Sequence, residues 1–85
     1  MFKTQVTIAS AEGLHARPAN EFAKLAATLP GKVMVSRPGG SKVRGDSMLS
    51  LMTLGLKTGE SVIIEVADES GENLLESLAK LLSNA

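Results

Sequence analysis

Alternating apolar and polar residues predict three strands along the chain, because side chains of a half-buried strand point in turn to the core and to water. The inward positions are Phe2, Thr4, Val6 and Ile8 in the first stretch, Val33 and Val35 in the second, and Val62, Ile64 and Val66 in the third. A short further strand over 41–44 follows the turn residues Pro38-Gly39-Gly40. Each strand has one apolar face and one mostly polar face, which favours an antiparallel sheet covered on one side only.

Three other stretches repeat apolar residues every three or four positions, which is typical of amphipathic helices. The first runs from Ala16 to Leu29 before Pro30-Gly31, the second is a short helix capped by Asp46-Ser47 and ended by Gly55, and the third is capped by Ser70 and carries Leu74, Leu75, Leu78, Leu81 and Leu82. The order β-α-β-β-α-β-α predicts an α+β two-layer, open-faced sandwich. With 85 residues, the chain is expected to form a single domain over 1–85.

Composition excludes several classes of protein. The chain has no cysteine, which excludes a disulfide scaffold and thiolate metal sites. No apolar stretch approaches the ~20 residues that a membrane-spanning helix needs, and no secretory signal is visible. We therefore expect a cytoplasmic protein without membrane insertion.

Charge is balanced overall, with nine basic and nine acidic residues, but it is unevenly distributed. Basic residues dominate the first half and acidic residues the last third, so the first half could attract acidic partner proteins. The chain has no tyrosine or tryptophan and no basic excess, which argues against a nucleic-acid partner.

The single histidine lies in Gly13-Leu14-His15-Ala16-Arg17-Pro18, at the start of the first predicted helix. Imidazole titrates near neutrality and offers a nucleophilic nitrogen. Arg17 can bind an anion with its planar guanidinium, and the first amides of a helix, beginning at Ala16, also favour negative charge. An isolated histidine is more often structural or simply exposed, but here three features converge. The combination predicts a site for a phosphoryl group attached to His15.

Two motifs give the chain a specific resemblance. The stretches Gly13-Leu14-His15-Ala16-Arg17-Pro18-Ala19 and 47–55 (SMLSLMTLG), together with the element order, resemble the HPr family, the histidine phosphocarriers of the bacterial phosphotransferase system. The resemblance covers essentially the whole chain. It implies a four-stranded sheet of order 1-4-2-3 with three helices on one face.

The resemblance also implies the function and partners. His15 would accept a phosphoryl group on Nδ1 from enzyme I, which phosphoenolpyruvate charges, and would pass the group to the IIA components of sugar permeases. Arg17 and the backbone amide of Ala16 would stabilise it. Such a chain is a stoichiometric carrier, not an enzyme, and needs no cofactor or metal. Nothing in the sequence indicates oligomerisation, so we expect a monomer.

The second helix carries the remaining candidate residues. It cannot bury all of its large apolar side chains on one stripe, so some of Met48, Leu49, Leu51 and Met52 should stay exposed. The resemblance implies that Met48, Leu49 and Met52 form an apolar docking patch, with Arg17 and Lys24 at its basic rim.

Ser47 is first interpreted as a helix N-cap. The resemblance implies a second role, as a regulatory serine that an HPr kinase/phosphorylase phosphorylates. Asp46 stands where the family often has lysine, which could weaken kinase recognition.

Alternative functions remain open from the sequence. A nitrogen-branch phosphocarrier would use the same chemistry with a regulatory output, but Leu51-Met52-Thr53-Leu54-Gly55-Leu56 is closer to the sugar branch. A partner-binding regulator of this family would lack the active histidine. A non-catalytic anion-binding module would make no use of the second helix.

Overall fold

The secondary structure follows the predicted order. The computed structural model describes residues 2–9, 13–69 and 71–84. Its elements are β1 (Phe2–Thr7), α1 (Ala16–Ala26), β2 (Val33–Ser36), β3 (Val43–Arg44), α2 (Met48–Thr53), β4 (Ser61–Val66) and α3 (Glu72–Asn84).

The four strands form one antiparallel sheet in the order β1-β4-β2-β3. In this register Phe2 lies opposite Val66, and Val66 in turn lies opposite Val33. The alternation along β4 buries Val62, Ile64 and Val66 on one face. The predicted open-faced sandwich, including its strand order, is confirmed.

The core lies between that face and the helices. Helix α1 contributes its buried residues Pro18, Ala19, Phe22, Ala23 and Ala26. The apolar stripe of α3 also turns inward: Leu75, Leu78 and Leu82 are buried, and Leu74 and Leu81 pack partly buried against them. Burying a large apolar side chain stabilises a fold by about 1.5–3 kcal/mol, so packing these stripes against the sheet accounts for the two-layer arrangement.

Helix α1 is shorter than the sequence predicts. It ends at Ala26, and the chain tightens into turns in which Thr28 N donates to Leu25 O and Leu29 N to Ala26 O. Pro30 disfavours a helical conformation at the residue before it, and the Thr28 hydroxyl donates to Leu25 O at 2.7 Å. The prediction that the helix reaches Leu29 is therefore wrong by three residues.

Smaller differences occur at other boundaries. Strand β3 contains only Val43 and Arg44, not the whole of 41–44. Ile8 lies just beyond β1 and is buried there. The predicted cap Ser70 lies outside the described residues, as does 10–12 in the loop before the histidine motif.

Candidate functional site

His15 lies where β1's loop meets α1. It is the N-cap residue of α1, with extended backbone (φ −93°, ψ −177°), and its side chain makes no capping hydrogen bond to the helix. Its carbonyl accepts the first helical bond, from Ala19 N at 3.1 Å. The imidazole is thus placed at the helix start without serving as the cap.

Arg17 shares an open hollow of about 270 Å³ with His15, Pro18 and Glu21. Its guanidinium Nε lies 3.8 Å from Glu21 Oε1, and the Arg17 side chain is 87% exposed. An exposed pair of this kind contributes little to stability. The guanidinium is therefore accessible to an anion that enters the hollow.

The first turn of α1 adds backbone donors to the same place. Within a helix the first amides have no partner one turn earlier, so those of Ala16 and Arg17 point out of the helix start. Pro18 has no amide hydrogen and suits this turn. An anion on the imidazole would meet these amides and the positive end of the helix dipole.

The backbone leading into His15 is held by a distant part of the chain. Leu14 N donates to Leu56 O at 3.0 Å, and His15 N donates to Gly13 O at 3.1 Å. Leu14 and Leu56 are both buried. The position of His15 therefore depends on the segment that follows α2.

That segment, residues 55–60, is joined by an ion pair to Arg37, the residue that follows β2. Arg37 Nε donates to Glu60 Oε1 at 3.0 Å, and a second guanidinium nitrogen donates to Glu60 Oε2 at 3.2 Å. The pKa of the Glu60 carboxyl is lowered by these bonds and by the amide of Lys57, which donates to it at 2.6 Å.

Helix α2 presents an apolar surface to solvent. Leu51 is buried, whereas Met48, Leu49 and Met52 are 37%, 79% and 40% exposed. We call these three the α2 patch. The expectation that some apolar residues of this helix stay exposed is confirmed. Flexible methionine side chains suit a surface that contacts more than one partner.

Lys24 lies in the last turn of α1 and is exposed. Helix α1 packs against α2. The helix that begins at His15 thus adjoins the helix that carries the α2 patch.

Ser47 is the N-cap of α2, as predicted: its hydroxyl accepts from Ser50 N at 3.2 Å. The preceding Asp46 is turned toward other partners. Arg44 donates to it at 2.6 and 2.9 Å, and Gly31 N donates at 3.1 Å. These bonds lower the pKa of the Asp46 carboxyl, the Arg44 bonds most strongly. Its charge is therefore compensated beside Ser47.

Comparison with known proteins gives this geometry its context. A family model described as the PTS HPr component phosphorylation site matches residues 2–84. The chain belongs to the HPr family. The phosphocarrier protein HPr of Streptomyces coelicolor is 39% identical over 98% of this chain and 89% of its own length. That of Borreliella burgdorferi is 33% identical over 99% of this chain and 96% of its own length.

Solved HPr structures have the same fold. The phosphocarrier protein HPr of Bacillus anthracis superimposes with a TM-score of 0.85 at 27% identity, covering 95% of each chain. Crh of Bacillus subtilis, crystallised as a domain-swapped dimer, gives 0.75 at 31% identity, covering 99% of this chain and 95% of its own. The general role of the HPr family, phosphoryl carriage in the phosphotransferase system, therefore applies to this chain.

The sequence analysis did not single out Arg37, Leu56 and Glu60, whose contacts involve the segment that holds the backbone before His15. Arg37 and Glu60 are 23 residues apart and stood out only as members of the basic and acidic regions. Leu56 appeared as one more apolar residue at the end of a motif. No short-range signal marks these contacts.

The structure also bears on metal binding and membrane insertion. Among residues 2–9, 13–69 and 71–84, no group of three or more histidine, cysteine, aspartate or glutamate side chains is arranged to bind a metal ion. Within the same ranges, no helix is both long and apolar enough to span a bilayer.

Proposed function

We propose that His15 accepts a phosphoryl group from phosphorylated enzyme I and passes it to IIA components of sugar permeases. The observation that supports this most directly is the exposed helix start, where His15 and Arg17 line one open hollow. Family membership supplies the class of reaction. The chain acts as a stoichiometric carrier that is regenerated in each cycle and needs no cofactor.

The acceptance step uses the neutral imidazole, with its proton on Nε2 and a lone pair on Nδ1. Nδ1 forms a bond to phosphorus while the bond from phosphorus to the donor breaks, and that electron pair stays with the donor. The new phosphoryl group is anionic. The amides of Ala16 and Arg17 at the helix start would stabilise its charge, as would the exposed Arg17 guanidinium once it turns from Glu21.

The onward step requires the bond to be reversible. The same donors hold the phosphoryl group but form no covalent bond to it, so a second nucleophile can displace it from Nδ1. The α2 patch, together with Arg17 and Lys24 on the adjoining helix α1, would bind enzyme I and IIA components in turn. Sharing one surface ensures that only one partner approaches His15 at a time.

Regulation through Ser47 is a second part of the proposal. A kinase that phosphorylates Ser47 would place about −1.5 to −2 charges next to Met48, the first residue of the α2 patch. A phosphate is also compatible with a helix start. The charge would therefore oppose acidic partners while leaving α2 folded.

The assignment is tested by incubating the purified chain with phosphoenolpyruvate and enzyme I, followed by assay for acid-labile phosphate. We expect one labile phosphoryl group per chain and none in His15→Ala, which should keep its circular dichroism spectrum. Transfer to sugar-permease IIA components, compared with nitrogen-branch acceptors, assigns the branch. Label on His15→Ala, or none on the parent chain, would refute the proposal.

We further propose that the carrier acts as a cytoplasmic monomer. A monomer leaves both the hollow and the α2 patch open to partners. Crh of Bacillus subtilis forms a swapped dimer, and one HPr structure from Thermoanaerobacter tengcongensis is also a dimer. Light scattering at micromolar concentration should give the 8.9 kDa mass of one chain, and twice that mass would contradict this part.

A further inference from the structure

Segment 55–60 has neither helical nor strand structure in its own backbone. Its shape depends on a turn bond of its own, from Glu60 N to Lys57 O at 3.0 Å, and on bonds to other parts of the fold. Three of its residues are held by one ion pair. Arg37 donates to Gly55 O at 3.3 Å as well as to Glu60, and the Glu60 carboxylate accepts from Lys57 N at 2.6 Å. The start, middle and end of the segment are tied together.

The same segment holds the chain on both sides of the loop before His15. On one side, Ile8 N donates to Glu60 O at 2.9 Å, and Gly59 N donates to Ile8 O at 2.9 Å. On the other side, Leu14 N donates to Leu56 O at 3.0 Å. Residues adjoining β1 and residues adjoining α1 are thus anchored to one short stretch.

From these contacts we infer that Arg37 and Glu60 are positioning residues for phosphoryl transfer at His15. Neither residue lines the hollow that His15 shares with Arg17. The ion pair holds segment 55–60 in place, and this segment in turn holds Leu14 through the bond from Leu14 N to Leu56 O. The position of Leu14 then determines the backbone position of His15 at the start of α1. The inference rests on the proposed function of His15.

The chemistry of the pair fits positioning better than stabilisation. Both side chains are more than a third exposed, 40% for Arg37 and 34% for Glu60, and exposed ion pairs contribute little to global stability. A guanidinium, however, makes two parallel bonds to a carboxylate and can bind a third acceptor in a fixed plane. That geometry fixes the orientation of Gly55 and Glu60 relative to Arg37, which a lysine ammonium cannot do because it acts as a point charge.

The effect on transfer should be sensitive to small displacements. A reacting group moved by about 1 Å can lose up to about a hundredfold in rate. A loosened segment 55–60 would let His15 sample positions in which the amides of α1 and the Arg17 guanidinium no longer meet the phosphoryl group. Binding of enzyme I to the α2 patch should be unaffected, because the side chains of the patch are carried by α2, which precedes the segment and has its own N-cap at Ser47.

The test compares Arg37→Gln, Arg37→Lys and Glu60→Gln with a control pair. Lys42 and Glu65 form an ion pair of 2.8 Å, and Glu65 lies on the face of β4 opposite the buried valines. Lys42→Gln and Glu65→Gln therefore break a charge pair that does not involve segment 55–60. All variants are compared by hydrogen exchange of the Leu14 amide and by transfer from phosphorylated enzyme I.

We expect the three test variants to exchange the Leu14 amide about tenfold faster, as local opening becomes easier. As acceptors for enzyme I they should give a kcat about tenfold lower, with an unchanged KM of enzyme I for the variant. Arg37→Lys should remain impaired although it keeps its charge. Both control variants should match the parent chain in both measurements.

Three outcomes would overturn the inference: unchanged Leu14 exchange in the test variants, an equal change in the controls, or a loss confined to KM. Failure of the proposed function would look different. In that case the parent chain itself would accept no phosphoryl group, whereas failure of the positioning role leaves the parent chain active and the variants equal to it.

Discussion

Gly13 and Leu56 approach so closely that a Cβ atom on Gly13 would lie 2.5 Å from the carbonyl oxygen of Leu56. Gly13 also has φ +72°, in the left-handed region that side chains disfavour. Glycine at this position is therefore required twice, by backbone conformation and by space. The residue two places before His15 has no freedom to carry a side chain.

Gly13→Ala should destabilise the fold by about 1–3 kcal/mol through backbone strain alone, with a further loss from the contact with Leu56. Gly39→Ala is the matched control, since Gly39 has φ +76° but nothing within 4 Å of its added Cβ. Urea unfolding of both variants measures the difference. Equal losses would show that the approach to Leu56 is not limiting.

Arg17→Ala should slow phosphoryl acceptance by at least tenfold, because charge-assisted donors stabilise the transferring group. The melting temperature should hardly change, since exposed substitutions usually alter stability by less than about 0.5 kcal/mol. Glu21→Ala removes the other member of the pair and is the control. Transfer assays and thermal unfolding test both, and an unchanged Arg17→Ala rate would remove Arg17 from the mechanism.

Leu49 and Leu51 lie on the same short helix, so substitutions at the two positions distinguish a role in partner binding from a role in core packing. Leu49 is 79% exposed and Leu51 is 1% exposed. Leu49→Ala should raise the KM of enzyme I for this acceptor, with little loss of stability. Leu51→Ala should cost about 2–5 kcal/mol as a buried cavity. Kinetics and urea unfolding distinguish the two, and a normal KM for Leu49→Ala would exclude Leu49 from the docking surface.

Substitutions at Ser47 distinguish its role as a cap from a regulatory one. Ser47→Ala should lose about 0.5–2 kcal/mol of stability, because the bond to Ser50 N disappears, while transfer continues. Ser47→Asp should keep the cap and impair transfer by placing a charge beside the α2 patch. Transfer rates and melting temperatures decide, and a Ser47→Asp rate equal to that of the parent chain would leave Ser47 as a cap only.

Asp46 and Glu60 predict how stability depends on pH. Both carboxyl groups have a pKa below the ordinary value, mainly because of Arg44 and Arg37 respectively. The unfolded state then binds protons at higher pH than the folded state. Their contribution is full above about pH 4.5, the ordinary range of carboxyl groups, and is lost as pH falls through the folded-state values. Urea unfolding below pH 5 should show a small decline, and it should be shallower in Asp46→Asn and Glu60→Gln. The difference should be larger for Asp46→Asn, because the Asp46 side chain is 9% exposed and that of Glu60 is 34% exposed. Parallel curves for parent and variants would contradict the assignment.

Local patterns predicted most of the fold because each strand and helix buries its own periodic face. The stripe of α3 and the alternation of β4 needed no knowledge of their partners. Ser47 could be predicted as a cap because a serine immediately before an apolar turn is a local signal. The end of α1 was misjudged because a tightening turn at Thr28 competed with the apolar pattern that reaches Leu29.

The site divides in the same way. His15 and Arg17 could be identified because nucleophile, guanidinium and helix start are adjacent in sequence. The ion pair of Arg37 and Glu60 could not, because it exists only once β2 and segment 55–60 are brought together. Exposure of some apolar residues of α2 followed from crowding on a short helix, and the resemblance named Met48, Leu49 and Met52. The pattern alone could not show that Leu51 is the buried one.

The strand order has a consequence for how the protein is made. Strand β1 pairs only with β4, so Phe2 has no partner in the sheet until Val66 has been synthesised. The Leu14 amide likewise has no acceptor until Leu56 has been synthesised. On the ribosome, where the chain emerges from its N-terminus, His15 is translated early but gains its supports only when the final third has appeared. A truncated or unfinished chain therefore contains the histidine without the frame that makes it a phosphoryl acceptor, and it would not divert phosphoryl groups from completed molecules.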